Sequence, residues 1–290
     1  MATVRLNKVI ALLEHGQAVF SCGTVPNGNY DDIMALSRSA YDLIVLEMEH
    51  LGFDFPTLRH SLQYVVNRKR IADKGNLQPD LVPLVRIPPY TREQNAWVIK
   101  QTLDAGAYGL VLPHLDSVEG AEAAVRAARY PQVPGAADVL PEGERGWSTS
   151  LAPHYWGLTP QEYYDTADVW PLDPEGQLLL MGIVENVRGM TTLPDILRQV
   201  KGIGAIWAGS GDLSVSMGFR GNASHPDVEA AVLKILTICK EFGVPCATVA
   251  TPSASVETRL EQGFRIVMVP QPRSLEALAR GRQAAGRTEA

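Results

Sequence analysis

Cysteine is scarce in this chain. Cys22, Cys239 and Cys246 are the only three in 290 residues. Their number is odd and none sits in a C-x-x-C spacing, which excludes a disulfide framework and the common zinc patterns. Long apolar runs are missing as well. Nothing approaches the roughly 18–20 residues of a membrane-spanning helix. The opening MATVRLNKVIALLEHG is too charged for a secretory signal. Its Leu6, Ile10 and Leu13 fall at the spacing of a short amphipathic helix. Positive charge is not in excess: 26 Lys and Arg stand against 32 Asp and Glu, a formal charge of −6. The longest basic cluster, Arg68-Lys69-Arg70, reads as a solvated helix end. Nothing invites a nucleic acid or a membrane surface. The expectation is a cytoplasmic globular protein with small-molecule partners.

What the chain does have is rhythm. Eight short apolar runs recur: Ala18–Cys22, Asp42–Glu47, Val82–Ile87, Tyr108–Pro113, Leu178–Val184, Ala205–Gly209, Val244–Val249 and Arg265–Val269. Most are apolar throughout rather than alternating, as expected of strands covered on both faces. Helical stretches separate them. Thr91–Ala105 opens on a candidate N-cap and closes at Gly106; Ser117–Arg129 opens on Ser117 and stops before Pro131; Pro226–Phe242 runs from a proline to Gly243. Eight strands alternating with helices predict a single (β/α)8 TIM barrel spanning residues 1–290. A doubly wound open sheet is the alternative, weakened because no G-x-G-x-x-G follows the first strand. One segment breaks the pattern: residues 131–176 are rich in Pro, Gly and aromatics. It is too long for an ordinary connection and too aromatic for disorder. It reads as an ordered excursion near the barrel mouth or an oligomer contact.

In such a barrel, chemistry sits at the C-terminal ends of the strands. The charged residues there form a small set. The second run ends Glu47-Met48-Glu49-His50, the third ends near Arg86, the fifth leads into Glu185, and the sixth leads into Gly209-Ser210-Gly211-Asp212-Leu213. Glu185 and Asp212 follow adjacent strands, and two carboxylates so placed repel unless a cation lies between them. Mg²⁺ or Mn²⁺ suits an all-oxygen pair, with Co²⁺ and Zn²⁺ as alternatives. The competing reading has Asp212 capping a helix and Glu185 pairing with Arg188. Gly209 and Gly211 let the backbone approach a ligand, and the first amides of the following turn, through Leu213, suit a carboxylate. Arg86 would face a developing oxyanion or pair with Glu47 or Glu49. His50, beside two glutamates, is the first choice of general base, and His114 the second.

The segments YDLIVLEMEH, PLVRIP, QTLDAGAYGLVLPHLDSVEGAEAAVRAARYP, GERG and above all GSGDLSVSMGFRGNASHPDV resemble the HpcH/HpaI aldolase/citrate lyase family. The resemblance runs from about residue 17 to about residue 270. It implies a metal-dependent class II aldolase that joins or cleaves a 2-oxo acid of the pyruvate type and an aldehyde. Glu185 and Asp212 fall on the family's metal ligands, and Arg86 on the arginine that steadies the enolate oxygen. His50 falls on the histidine of a His–acid dyad, with Glu47 at the acid position. Asp104 matches an acidic residue that reaches the mouth from a neighbouring subunit. The amides of Gly211 and Asp212, with Leu213 beside them, fall where the 2-oxo acid's carboxylate binds. It further implies a homo-oligomer, hexameric or trimeric, whose last helix is exchanged between subunits; Ser274–Arg282 matches that helix. The chain departs from the pattern at Glu47, usually Asp, at Ile183, often Gln, and at Asn186, usually Ser or Thr. It also departs at Val269-Pro270-Gln271-Pro272, where an Asp is usual, and carries extra residues between Pro131 and Gly143. Another carbon–carbon lyase on the same scaffold, acting on a CoA thioester or by decarboxylating condensation, and a non-catalytic 2-oxo-acid binder are the alternatives.

Overall fold

All eight apolar runs form parallel strands. Buried on both faces, they have no solvated side to alternate with. They are β1 (Val19–Pro26), β2 (Leu43–Glu47), β3 (Val82–Arg86), β4 (Gly109–Leu112), β6 (Leu178–Val184), β7 (Ala205–Ala208), β8 (Cys246–Val249) and β9 (Ile266–Met268), with a two-residue β5 (Val169–Trp170) beside the start of β6. Neighbours run β4-β3-β2-β1-β9-β8-β7-β6, and β4 pairs with β6 to close the ring. This is a closed eight-stranded barrel. It is seen in a computed structural model that describes residues 5–89, 95–136, 140–148, 150–269 and 274–287. At the β4–β6 seam, a Cβ on Gly109 would lie 2.0 Å from the Leu179 carbonyl oxygen, so only glycine lets these strands meet.

The helices are α1 (Lys8–Glu14), α2 (Tyr30–Leu36), α3 (Phe55–Val65), α4 (Arg68–Lys74), α5 (Ala96–Asp104), α6 (Val118–Ala128), α7 (Leu151–Trp156), α8 (Pro160–Thr166), α9 (Val187–Gln199), α10 (Ser210–Ser216), α11 (Pro226–Glu241), α12 (Val256–Gln262) and α13 (Leu275–Ala284). Ser117 caps α6 by accepting from the Gly120 amide at 3.1 Å, as its position predicts. The proposed cap Thr91 lies outside the described residues. Among the described residues no helix is long and apolar enough to cross a membrane.

Polar groups tie the floor of the barrel together. Buried Asn7 caps α1 with its side-chain oxygen and donates its amide to the carbonyls of Tyr108 (3.2 Å) and Gln177 (3.0 Å), tying β4 to β6 from below. α13 begins one residue after its cap Ser274 and packs against α12 and β1 of its own chain.

The excursion at 131–176 corrects one expectation. Trp156 stacks on Tyr108 with centroids 4.1 Å apart and donates its indole N–H to the Gly106 carbonyl at 2.9 Å. Both partners precede β4, so the segment packs under the floor and away from the mouth. Arg129, fully buried, holds Asp168 through two bonds of 2.7 Å and anchors its far end.

Candidate functional site

The ladder itself sets the first pair. β2 and β3 run in a register that places Glu47 opposite Arg86, and both are the last residues of their strands. One Glu47 oxygen accepts from Arg86 Nε at 2.7 Å, with a second bond from an Nη atom. The other accepts the amides of Glu49 (2.7 Å) and His50 (3.1 Å), so it also shapes the turn that follows β2. Glu47 is 1% exposed, and its charge is committed to Arg86 and that turn.

Glu49, offered by the sequence only as a partner of Arg86 and a neighbour of His50, has a larger place at the site. Its Oε2 lies 3.3 Å from Arg86 Nε and 3.3 Å from His50 Nε2. The acid beside the His50 ring is therefore Glu49 and not Glu47, which touches only the His50 backbone. The reason is strand geometry: Glu47 points across the ladder to Arg86, and the turn then brings Glu49 round beside the ring. Burial holds the Glu49 carboxyl above the usual carboxylate range; Glu47 and Asp212 add to the shift, and Arg86 and His50 oppose it. The His50 side chain is 60% exposed at the rim.

Glu185 follows the last residue of β6. It accepts the His114 amide at 2.7 Å, and the His114 ring lies 3.6 Å away. This amide, not Arg188, is its bonded partner. A Cβ on Gly209 would come within 2.7 Å of Ile183 Cγ2 and 2.9 Å of Glu185 Cβ, so glycine at the end of β7 leaves room for the carboxylate. Burial pushes the Glu185 carboxyl up to about 7; the charges of Asp212 and Glu49 push the same way, against the His114 amide and Arg86. Asp212 is the third residue of α10 and is exposed. The cap position belongs to Gly209, which leaves the Asp212 carboxylate available at the mouth.

Glu49, Glu185 and Asp212 thus share one electrostatic neighbourhood, facing Arg86. Burial raises the carboxyls of Glu49 and Glu185, and the neighbouring carboxylates add to the rise. A hard divalent cation fits this donor set, which is all carboxylate oxygen. Among the described residues no group of three or more His, Cys, Asp or Glu forms a ready metal cage. The pair Glu185 and Asp212 would leave most of an octahedron to water and substrate.

The start of α10 has no side-chain cap, and a Cβ on Gly211 would meet nothing within 4 Å. The Leu213 amide is different: it bonds to the Gly209 carbonyl at 3.2 Å, and the side chain is buried. Leu213 closes the first turn of α10, so its amide does not face a ligand. Asn186 caps α9 through the Gly189 amide at 2.7 Å and reaches Asp116 at 3.3 Å, which gives that departure a structural role. His225, in the most diagnostic sequence run, caps α11 and stacks on Phe219 at 3.8 Å. Asp104 is not with the others. It ends α5 at the floor, held by the buried Arg145 at 2.8 Å. Burial raises its carboxyl against the pull of Arg145.

The HpcH/HpaI aldolase/citrate lyase family model matches residues 25–270. A hydroxypyruvate/pyruvate aldolase of Roseobacter denitrificans is 29% identical over 266 residues, covering 91% of this chain and 90% of that protein. A 5-keto-4-deoxy-D-glucarate aldolase of Salmonella arizonae is 31% identical over 234 residues, covering 81% and 78%. Among solved structures, an HpcH/HpaI family protein from Burkholderia cenocepacia J2315 superposes with a TM-score of 0.74 at 25% identity, covering 98% of this chain and 100% of that one. Macrophomate synthase shares the fold, with a TM-score of 0.67 at 21% identity, covering 98% and 89%. With the closed barrel and the charged strand ends already in view, these likenesses place the chain in the HpcH/HpaI aldolase/citrate lyase family, and so among the lyases.

Proposed function

We propose that this lyase is a class II aldolase that uses a divalent metal to cleave or form a carbon–carbon bond between the enolate of a pyruvate-type 2-oxo acid and an aldehyde. The observation that carries the reading is the placement of buried Glu185 after β6 and Asp212 after the adjacent β7, at the same mouth as the Arg86 held by Glu47 and Glu49. Glu185 and Asp212 would hold the ion, Mg²⁺ or Mn²⁺ in preference to Co²⁺ or Zn²⁺. When bound, it supplies Lewis-acid polarisation of the keto group.

The chain's own residues do the rest. Arg86 is oriented by its bonds to Glu47, so its positive charge is fixed in place where the enolate oxygen develops. The uncapped amides of Gly211 and Asp212 receive the substrate carboxylate. His50, with Glu49 at 3.3 Å, takes the proton from the hydroxyl of the aldol. The carbon–carbon bond then breaks, the aldehyde leaves, and a proton returned to the enolate carbon completes the 2-oxo acid. In a homo-oligomer, Asp104 of one copy would serve the mouth of another, since within its own chain it lies at the floor.

Exchange of the methyl protons of pyruvate in D2O tests enolate formation without an aldehyde. Mn²⁺-dependent exchange that is lost in Glu185→Ala is the expected result. Full exchange by that variant in the presence of a chelator overturns the metal role.

A further inference from the structure

The rim of the mouth carries an apolar feature that the enolate chemistry leaves unused. Leu51, Phe53 and Trp97 are large apolar side chains left 58%, 41% and 47% exposed. Phe53 sits edge-to-face against Phe55, with ring centroids 5.1 Å apart, and against Trp97 at 5.7 Å; Phe55 and Trp97 meet at 6.1 Å. Exposed apolar groups gathered in one place mark a surface that receives a ligand or a partner.

Chain order fixes where the cluster lies. Leu51 and Phe53 belong to the connection from β2 to α3, and Trp97 to the first turn of α5, which follows β3. Both connections leave the C-terminal ends of their strands. Those are the ends that carry Glu47, Glu49 and His50 on one side and Arg86 on the other. α3 packs against α5, which brings the two connections together. The segment after His50 is held at both ends. Before it, Glu47 accepts the Glu49 and His50 amides. After it, Asp54 caps α3 through the Thr57 amide at 2.8 Å, and its carbonyl accepts from Asn27 at 3.1 Å. Gly52, with a φ of 109°, redirects the chain between Leu51 and Phe53.

We propose that Phe53 and Trp97, backed by Phe55 and Leu51, form the subsite for the aldehyde's substituent, and that this subsite takes a planar aromatic ring. The inference rests on the aldolase reading above. In that reading His50 takes the proton of the aldol hydroxyl, so the carbon bearing the hydroxyl lies at His50. The carbon–carbon bond breaks with its electron pair passing to the enolate, the aldehyde carbonyl forms, and the substituent departs with it. That substituent meets the β2–β3 side of the rim, where the cluster begins three residues after His50. Aromatic rings prefer edge-to-face or offset contact. Phe53 and Trp97 already hold the first arrangement and keep exposed surface for another ring. Asp54, the one charged residue of 51–55, spends its carboxylate on the start of α3.

The test is condensation of pyruvate with benzaldehyde and, separately, with glycolaldehyde, in the presence of Mn²⁺. The ratio of the two kcat/KM values should favour benzaldehyde. Phe53→Ala and Trp97→Ala should each lower that ratio about tenfold, the scale of a lost aromatic contact, chiefly through KM for benzaldehyde. Trp97→Phe should recover most of it. Trp147→Ala, which removes an exposed tryptophan of the 131–176 excursion, should leave the ratio unchanged. Pyruvate exchange in D2O involves no aldehyde and reads the enolate half separately. Exchange with a ratio equal in wild type and both alanine variants overturns the subsite and leaves the aldolase reading standing. If exchange fails, binding of benzyl alcohol, an unreactive analogue, decides the matter by saturation-transfer NMR. A signal that falls in Trp97→Ala supports the subsite, and an equal signal overturns it. A changed sedimentation coefficient in the alanine variants with an unchanged ratio also overturns it, and assigns the rings to a contact between copies of the chain.

Discussion

At the scale of single residues, the mouth is a problem in charge placement. Arg86 is held by Glu47, and Glu47 in turn holds the turn that carries Glu49 and His50. Arg86→Ala should lower kcat for aldol cleavage by about a hundredfold or more, the scale of a lost oxyanion donor. Arg86→Lys should not restore it, because lysine cannot make the paired contact with Glu47. A steady-state comparison of the two variants checks this, and near-wild-type turnover by Arg86→Lys would count against an oriented fork. Gly209→Ala offers a second test. Its new Cβ would crowd Ile183 and Glu185, so the affinity for Mn²⁺ should fall by more than the melting temperature suggests. Equal metal affinity by titration would mean that Glu185 tolerates the displacement. The sequence exposed Glu47, Arg86, Glu185 and Asp212 because each ends or follows an apolar run. That Glu49 and not Glu47 meets the His50 ring was not legible for a physical reason: Glu49 lies in the turn beyond the strand, where the period-two rule no longer says which way a side chain points.

At the scale of elements, the strands were legible and the excursion was only half so. Burial on both faces leaves a continuous apolar signature, and most of the eight runs carry it. The aromatics of residues 131–176 announced order but not location. That depends on where Trp156 finds an acceptor, and the Gly106 carbonyl sits under the barrel. A hydrogen-bond acceptor on the main chain leaves no mark in side-chain chemistry. Trp156→Ala should therefore cost about 3–5 kcal/mol of stability, as for large buried aromatics. The exchange rate per folded molecule should stay unchanged, since the contact is at the end remote from Glu185. Denaturant unfolding beside the exchange assay decides it; a large activity loss at full folding would mean that the excursion acts on the mouth.

At the scale of the whole molecule, the floor sets the response to acid. Burial of Asp42 works against its charge, but Arg287 and Lys8 outweigh it, and its carboxyl titrates below the ordinary aspartate range. A depressed folded-state pKa means stability that is present above the unfolded value of about 3.9 and is lost as pH falls through the lower folded value. Acid unfolding should accordingly steepen below about pH 4, and Asp42→Asn should flatten that limb of the curve while lowering stability at neutral pH. An unchanged acid limb in the variant would assign it to other carboxylates. The same carboxylate has a topological consequence. Lys8 and Arg287, separated by nearly the whole described chain, meet on Asp42, so the polypeptide is almost a ring, cut at one place. A circularly permuted protein, with these two regions spliced by a short linker and new ends opened in an exposed surface loop, should trace the same barrel. The order in which the chain is written would then prove incidental to the shape it takes.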